Sequence, residues 1–176
     1  MSDNANIHPA IQPVQLQRLY QVSKVIHSTL DQQEALDLIV REAVGLVGAT
    51  TGSVVLINPS DGFLEIQTAH GLPDGSSRLK LRVGEGITGW VAQQGKPALV
   101  PDVREDARYV PVHDHARSEL AVPLEVNGSV RGVINVDSDQ LNAFSETDQA
   151  LLTELASQAA TVIHNAFLYE RSRIRA

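Results

Sequence analysis

The chain has 176 residues, and its 14 lysines and arginines stand against 21 aspartates and glutamates, so its formal charge is −7. This length suits one domain with a real core, and 43% hydrophobic with 20% charged residues is typical of a globular protein. The absence of cysteine excludes disulfides, thiolate nucleophiles and cysteine-ligated zinc, and the acidic balance argues against binding to nucleic acid or anionic lipid.

The first part of the chain predicts two helices after a tail. Residues 1–13 are polar and contain two prolines, so we expect a loose tail before a single domain over residues 14–176. From Val14 apolar residues recur every three or four positions (Leu16, Leu19, Ile26), which predicts a helix. A second stripe ends at Gly48, with Asp31 or Thr29 as its cap, so the two helices fill residues 14–48.

Strands and an irregular stretch follow. The segment TGSVVLI predicts a buried strand that is apolar on both faces, and FLEIQTA predicts its half-buried partner. Residues 70–115 are irregular, with short strands expected in RLKLRV and ALV and a short helix in GITGWVAQQ. Because long irregular insertions in a sheet are more often functional than structural, we expect this stretch to move or to cover a site.

A second hairpin is predicted around Asn127-Gly128, with two competing registers. A two-residue loop mixes apolar and polar side chains on both faces. A three-residue loop with a bulge at Gly128 pairs Glu125 with Ser129 and segregates the faces, so we favour it. One face is then apolar, with Leu120, Val122, Leu124, Val130, Ile134 and Val136, and the other gathers Glu119 opposite Asn135, with Asp137 one step along.

The last helix is expected over residues 145–173. Ser145 and Asp148 have the spacing of a capping box. Two apolar stripes run along the helix, the second of them through Ala156, Ala160, Ile163 and Phe167. One stripe can cover the sheet and the other needs a different partner, which favours a homodimer formed by the N- and C-terminal helices.

The order of these motifs resembles a GAF domain, the small-molecule sensor module of bacterial signalling proteins. The resemblance spans roughly residues 20–170 and is carried by GEGITGWVAQQGKPALVPDVREDARY, RSELAVPLEVNGSVRGVINVDS and AFSETDQALLTELASQAATVIHNAFLYE. It implies an α+β fold with a central antiparallel sheet and the N- and C-terminal helices on one face. The irregular stretch would then cover the other face and enclose a ligand pocket.

Glu119, Asn135 and Asp137 are the main candidate ligand-binding residues, because carboxylates form charge-assisted hydrogen bonds with amines. The stretch RSELAVPL…GVINVDS is also similar to free methionine-R-sulfoxide reductases, GAF enzymes whose acidic residues hold the free amino acid. Asn135 departs from that pattern, and the reductase chemistry needs cysteines that this chain lacks, so we expect no enzyme. The alternative is that the three residues merely line a solvated sheet face.

Trp90, Tyr109 and Asp102 are weaker candidates. Trp90 lies on the short helix over the proposed pocket and Tyr109 in the irregular cover, where aromatic surface suits a lid, although Trp90 serves equally well as core packing. Asp102 could contact a ligand or cap the DVREDAR helix, and we favour the cap.

Other motifs point to no further site. Gly84–Gly89 reads G-x-G-x-x-G, but the short helix after it and the absence of βαβ units favour a tight turn over dinucleotide binding. His113-Asp114-His115 invites a metal interpretation that we do not favour, and no cofactor is expected. Asn142, Phe144 and Asp148 match only part of the cyclic-nucleotide GAF pattern.

We therefore expect a non-catalytic sensor domain of a bacterial signalling protein, with an unknown small-molecule ligand and with a C-terminal output domain where the chain is part of a longer one. The N-terminus lacks a signal peptide and no apolar run approaches the ~18 residues of a membrane span, so we expect it in the cytoplasm. The alternatives are a dimerisation scaffold with a vestigial pocket, or an enzyme related to the reductases.

Overall fold

The helices and strands of the computed structural model follow the order that the sequence predicts, over the described residues 11–28, 31–72, 81–111 and 115–175. A single 3₁₀ turn stands where the DVREDAR helix was expected. In chain order the elements are α1 (Pro13–Ser28), α2 (Gln32–Val47), β1 (Thr51–Ile57), β2 (Leu64–His70), α3 (Gly86–Gln94), β3 (Ala98–Val100), the turn (Val103–Glu105), β4 (Ser118–Val126), β5 (Ser129–Ser138) and α4 (Glu146–Ile174).

The strands form one antiparallel sheet in the order β2-β1-β5-β4-β3, with an apolar layer on each face. Helices α1, α2 and α4 pack together on one face over a large cluster that includes Leu36, Leu120 and Leu155. Helix α3 and the neighbouring loop cover the other face over a smaller cluster that includes Val91 and Val133. This arrangement confirms the expected α+β class and the division of the two faces.

The helix ends are set by the residues that the sequence indicates. Asp31 is the N-cap of α2 and accepts hydrogen bonds from two backbone N–H groups, while Gly48 ends the helix in the left-handed conformation at φ 65°. Ser145 and Asp148 form the expected capping box at the start of α4. These local signals were correct because they depend only on neighbouring residues.

The β4–β5 hairpin corrects the expected turn. Asn127 and Gly128 form a two-residue loop with positive φ angles of 52° and 77°, so Val126 pairs with Ser129. The bulge lies further along, at Arg131, where Leu124 pairs with Gly132 but Glu125 with Val130. Asn-Gly therefore keeps its preferred turn, and the bulge restores the segregation of the two faces one step later.

The corrected register changes two details of the predicted faces. Glu119 lies opposite Asp137, not opposite Asn135, which pairs with Ala121. Val130 does not join the apolar face, because it pairs with Glu125 beyond the bulge. The other assignments to the two faces hold, since a shift of two positions in the pairing leaves the alternation unchanged.

The second apolar stripe of α4 is covered by the chain itself, which removes the reason first given for a dimer. Ala156, Ala160 and Ile163 are buried, because α1 and α2 both pack beside α4, while the side chain of Phe167 lies outside the part that the structure describes. The buried line of α1 runs through Leu19, Val22 and Ile26, whereas Leu16, which the sequence pattern placed on the same stripe, is exposed. Its other apolar residues are exposed, with exposed fractions of 70% for Val14, 52% for Leu16, 62% for Tyr20 and 51% for Val25.

Several expectations fall partly outside the described residues. These include residues 1–10 of the tail, residues 78–80 of RLKLRV, and His113 and Asp114. The end of RLKLRV forms no strand, and Arg82 makes one isolated bridge to Phe63. Among the described residues, no helix combines the length and apolar character needed to cross a membrane.

Candidate functional site

A cavity of about 80 Å³ lies between the sheet and the layer formed by α3 and residues 109–110. Its floor is polar and comes from the three central strands and α3. The polar residues that line it are Ser53, Thr88, Glu119, Asn135 and Asp137. Its walls are apolar and include Val55, Leu64, Ile66, Ile87, Tyr109 and Val110. The cavity therefore offers one polar and one apolar region to a molecule inside it.

The alternation of the strands brings the polar residues together. Glu119 on β4 and Asp137 on β5 are directly opposite each other, and their exposed fractions are only 5% and 8%. Asn135 is two residues before Asp137 and therefore faces the same side of the sheet. The three residues predicted from the hairpin thus line one cavity, where their role in binding stays a prediction.

Hydroxyl groups donate hydrogen bonds to each of these three side chains. Thr88 Oγ1 is 3.3 Å from Glu119 Oε1, and Ser53 Oγ is 2.5 Å from Asn135 Oδ1. Thr51 Oγ1 lies 3.5 Å from Asp137 Oδ2. The floor is therefore a network shared by α3, β1, β4 and β5.

Sequence reasoning missed these hydroxyl residues. The pattern TGSVVLI predicts a strand that is apolar on both faces, but Thr51 and Ser53 alternate and therefore face the side of Asn135 and Asp137. This polar alternation was the available signal. Thr88 carried none, because a threonine in a glycine turn looks like an ordinary helix start.

Glu119 is electrostatically the most unusual group of the site. Burial raises the pKa of its carboxyl well above the usual range, and the facing Asp137 carboxylate raises it further. The Thr88 hydrogen bond lowers this pKa, Asp106 raises it and Arg108 lowers it, all with smaller effect. A proton is thus retained at Glu119 at pH values where an ordinary glutamate is ionised.

Tyr109 lines the cavity, but Trp90 is absent from its lining. Instead, the Arg108 guanidinium stacks on the Trp90 ring at 4.3 Å from its centroid. The same guanidinium donates two hydrogen bonds to the Asp106 carboxylate, from Nε to Oδ1 at 2.9 Å and from Nη2 to Oδ2 at 2.7 Å. Through Arg108, Trp90 therefore anchors the loop that carries Tyr109. Trp90 itself lies beside the cavity and does not line it.

Asp102 also lies apart from the cavity lining. Its carboxylate accepts a hydrogen bond from the backbone N–H of Arg104 and caps the 3₁₀ turn. The favoured interpretation of Asp102 as a cap agrees with this geometry, and the structure does not bring it together with Glu119 among the cavity residues.

The glycine motif before α3 forms the expected tight turn. Gly84 and Gly86 have φ angles of 93° and 68°, a region that L side chains rarely adopt. A Cβ at Gly89 would lie 2.5 Å from the Arg82 carbonyl oxygen, so the turn is closed by backbone contact. The motif positions α3, and Thr88 within it, over the sheet.

A second hollow of about 200 Å³ lies beside the first, and Asp137 lines both. Its lining also includes Thr50, His115 and Asp139. Within the part of the chain that the structure describes, no group of three or more histidine, aspartate or glutamate side chains is placed to hold a metal ion.

Residues 29–164 match the GAF domain family, and the chain therefore belongs to that family. A Nif-specific regulatory protein from Azospirillum lipoferum is 30% identical over 132 residues, which are 70% of this chain and 21% of that protein. The chain thus spans about a fifth of the length of this relative. The class that fold and sequence define is a GAF domain with regulatory relatives.

Solved structures agree with this assignment. The GAF domain of a phosphoenolpyruvate-protein phosphotransferase from Acinetobacter has a TM-score of 0.81 at 25% identity, over 89% of this chain and 96% of that chain. A free methionine-R-sulfoxide reductase from Neisseria meningitidis, solved with its substrate, has a TM-score of 0.78 at 24% identity and covers 92% of both chains. At that identity the similarity to the reductase shows the fold alone.

Proposed function

We propose that this GAF domain is a non-catalytic regulatory domain that binds a small molecule in the cavity over Glu119, Asn135 and Asp137. The observation that carries the proposal is the cavity itself, whose buried polar floor and apolar walls are typical of ligand sites. Its 80 Å³ correspond to about five to eight water molecules, which suits a small molecule better than a nucleotide. A vestigial pocket filled by its own side chains fits this open space less well.

A binding role fits the chemistry of the floor better than catalysis does. The chain has no cysteine, so it offers no thiolate for the sulfur chemistry of the similar reductases. The hydroxyls of Ser53 and Thr88 donate to an amide oxygen and a carboxyl group, and the described residues that line the cavity include no histidine to act as a base. The polar groups are thus arranged to hold a molecule in place.

Signalling would proceed from the cavity to the helices on the other face of the sheet. We propose that these helices form a homodimer through α1 and the end of α4, within a longer signalling chain such as the regulatory relative. Exposed apolar side chains support this surface: Val14, Leu16, Tyr20 and Val25 on α1, and Leu168 and Ile174 on α4. Bound ligand would alter the helix arrangement and so reach an output domain.

A thermal-shift screen of amino acids, simple amines, nucleotides and aromatic acids tests the binding proposal. We expect at least one small compound to raise the Tm by several degrees, because a ligand that binds only the folded state stabilises it. The fluorescence of Trp90, the sole tryptophan of the sequence, gives a second signal from the loop beside the cavity.

Two leucine substitutions on β5 make this test specific. Asn135→Leu places an apolar side chain in the polar floor and should abolish the ligand-dependent shift, whereas Ser129→Leu on the exposed end of the strand should retain it. A ligand whose shift survives Asn135→Leu binds elsewhere, and the proposal fails if no compound gives a shift.

A further inference from the structure

The Glu119–Asp137 pair places two carboxyl groups at one point of a buried floor. The residues pair directly across β4 and β5 with their side chains on the same face, and directly opposed side chains of an antiparallel pair have Cβ atoms about 5 Å apart. Both are more than nine-tenths buried. Like charges this close in a buried site disfavour double ionisation, so the pair retains one proton more readily than two separate carboxyl groups would.

Besides Asp137, the charged groups that act on Glu119 are Arg108 and Asp106. Arg108 lies close enough to act on Glu119, but its ion pair is with Asp106 and its guanidinium stacks on Trp90. Asp106 adds negative charge. The uncharged Thr88 on α3 and Val100 on β3 face Glu119, and the uncharged Thr51 on β1 faces Asp137, while His115 and Asp139 border the hollow beyond Asp137.

We propose that the Glu119–Asp137 pair exchanges its shared proton for the ammonium group of a primary amine, so that ligand binding releases a proton. This inference rests on the proposed function, because it specifies the ligand class of the same cavity. The balance is simple: a pair with two carboxylates and one proton has charge −1, and the same pair with one ammonium ion also has charge −1. Binding therefore adds no net charge to the buried floor, and the displaced proton leaves to solvent.

The floor and walls of the cavity restrict further the class of amine that fits. An ammonium group has three N–H donors, and three side chains with acceptor oxygens converge here: Glu119, Asp137 and Asn135. A quaternary ammonium ion lacks those donors and should bind poorly. The apolar walls, with Leu64, Ile66 and Ile87, suit a short hydrocarbon attached to the amine.

Calorimetric titration with n-butylammonium chloride tests the inference at pH 6, 7 and 8, in two buffers of different ionisation enthalpy. Butylammonium stays charged over this range, because alkylammonium groups such as that of lysine have pKa values near about 10.4. We expect proton release approaching one per molecule bound at those pH values where the pair still holds its proton, with affinity rising there by up to about tenfold per pH unit. Neutral n-butanol and tetramethylammonium should bind at least about tenfold more weakly at pH 8.

Variants of the two carboxyl residues test whether the released proton comes from the Glu119–Asp137 pair. Glu119→Gln and Asp137→Asn should each abolish proton release, and Glu125→Gln, exposed on the same strand, should retain it. Butylammonium binding without proton release would overturn the exchange, as would equal binding of n-butanol. If butylammonium does not bind but the thermal-shift screen finds another ligand that requires Asn135, the amine inference fails and the proposed function stands. If neither gives a ligand, both fail.

Discussion

The buried Glu119 carboxyl should make the stability of the empty protein depend on pH. Because its pKa in the folded state is raised above that of the unfolded chain, the unfolded chain loses this proton first as the pH rises. The contribution of Glu119 to stability is therefore fully present below the unfolded value of about 4.3 and is lost as the pH rises through the raised folded value.

Glu119→Gln should consequently stabilise the empty protein at alkaline pH, by at least about 1 kcal/mol at pH 8, because a buried polar group without adequate partners costs at least that much. Near pH 4 the difference from wild type should nearly vanish. Urea unfolding at both pH values measures the effect, with the exposed Glu125→Gln as the matched control. A constant difference across the pH range would contradict a retained proton at Glu119.

For individual residues, the sequence predicts which side chains form the cavity floor better than it predicts their hydrogen bonds. The alternation on β4 and β5 was enough to bring Glu119, Asn135 and Asp137 to one face. The link to Thr88 depends on how α3 docks on the sheet, and no local pattern encodes that docking. Trp90 could not be assigned either, because its partner Arg108 lies in a loop whose path follows from tertiary contacts.

Among the secondary-structure elements, the β4–β5 hairpin satisfies two independent preferences, one for the type of turn and one for the register of the strands. Asn-Gly favours a two-residue loop, and the burial of Leu120 and Ile134 demands a register that this loop alone would break. The bulge at Arg131 reconciles them. The sequence could predict the segregated faces but not the bulge position, because an exposed arginine carries little local preference for it.

Two glycines of this hairpin should respond very differently to alanine. A Cβ at Gly128 meets no atom within 4 Å, so Gly128→Ala should cost only the strain of a φ of 77°, about 1–2 kcal/mol. A Cβ at Gly132 would collide with the Val55 carbonyl oxygen and lie 3.2 Å from Leu56 Cα. Gly132→Ala should therefore cost about 3 kcal/mol or more, since β1 must move. Urea unfolding ranks the two, and equal losses would contradict the close packing of β1 on β5.

For the whole molecule, the arrangement of the helices changes the case for self-association. The stripe of α4 that seemed to need a partner is covered by α1 and α2, which the one-dimensional pattern of α4 could not reveal. Among the described residues, four of the eight exposed large apolar side chains lie on α1, on both sides of its buried line. A dimer surface would therefore be centred on α1.

Sedimentation velocity tests the dimer at micromolar concentration. We expect the wild-type chain to sediment as a dimer, and Tyr20→Glu to shift it to monomer because a charge replaces an apolar side chain with an exposed fraction of 62%. Gln17→Glu adds the same charge at an exposed polar position of α1 and serves as the control. A monomeric wild type would overturn the dimer while leaving ligand binding open to its own test.

The sheet is a single layer, and the same short stretch of β5 serves both of its sides. Ile134 and Val136 belong to the core beneath α2 and α4, while Asn135 and Asp137 belong to the cavity floor. One peptide unit separates these alternating side chains. The cavity and the helix layer are therefore joined directly by the backbone of β5, with no other residues between them. If the proposed ligand shifts or stiffens this strand, the change would reach the helix layer directly through the side chains on the other face of the same strand.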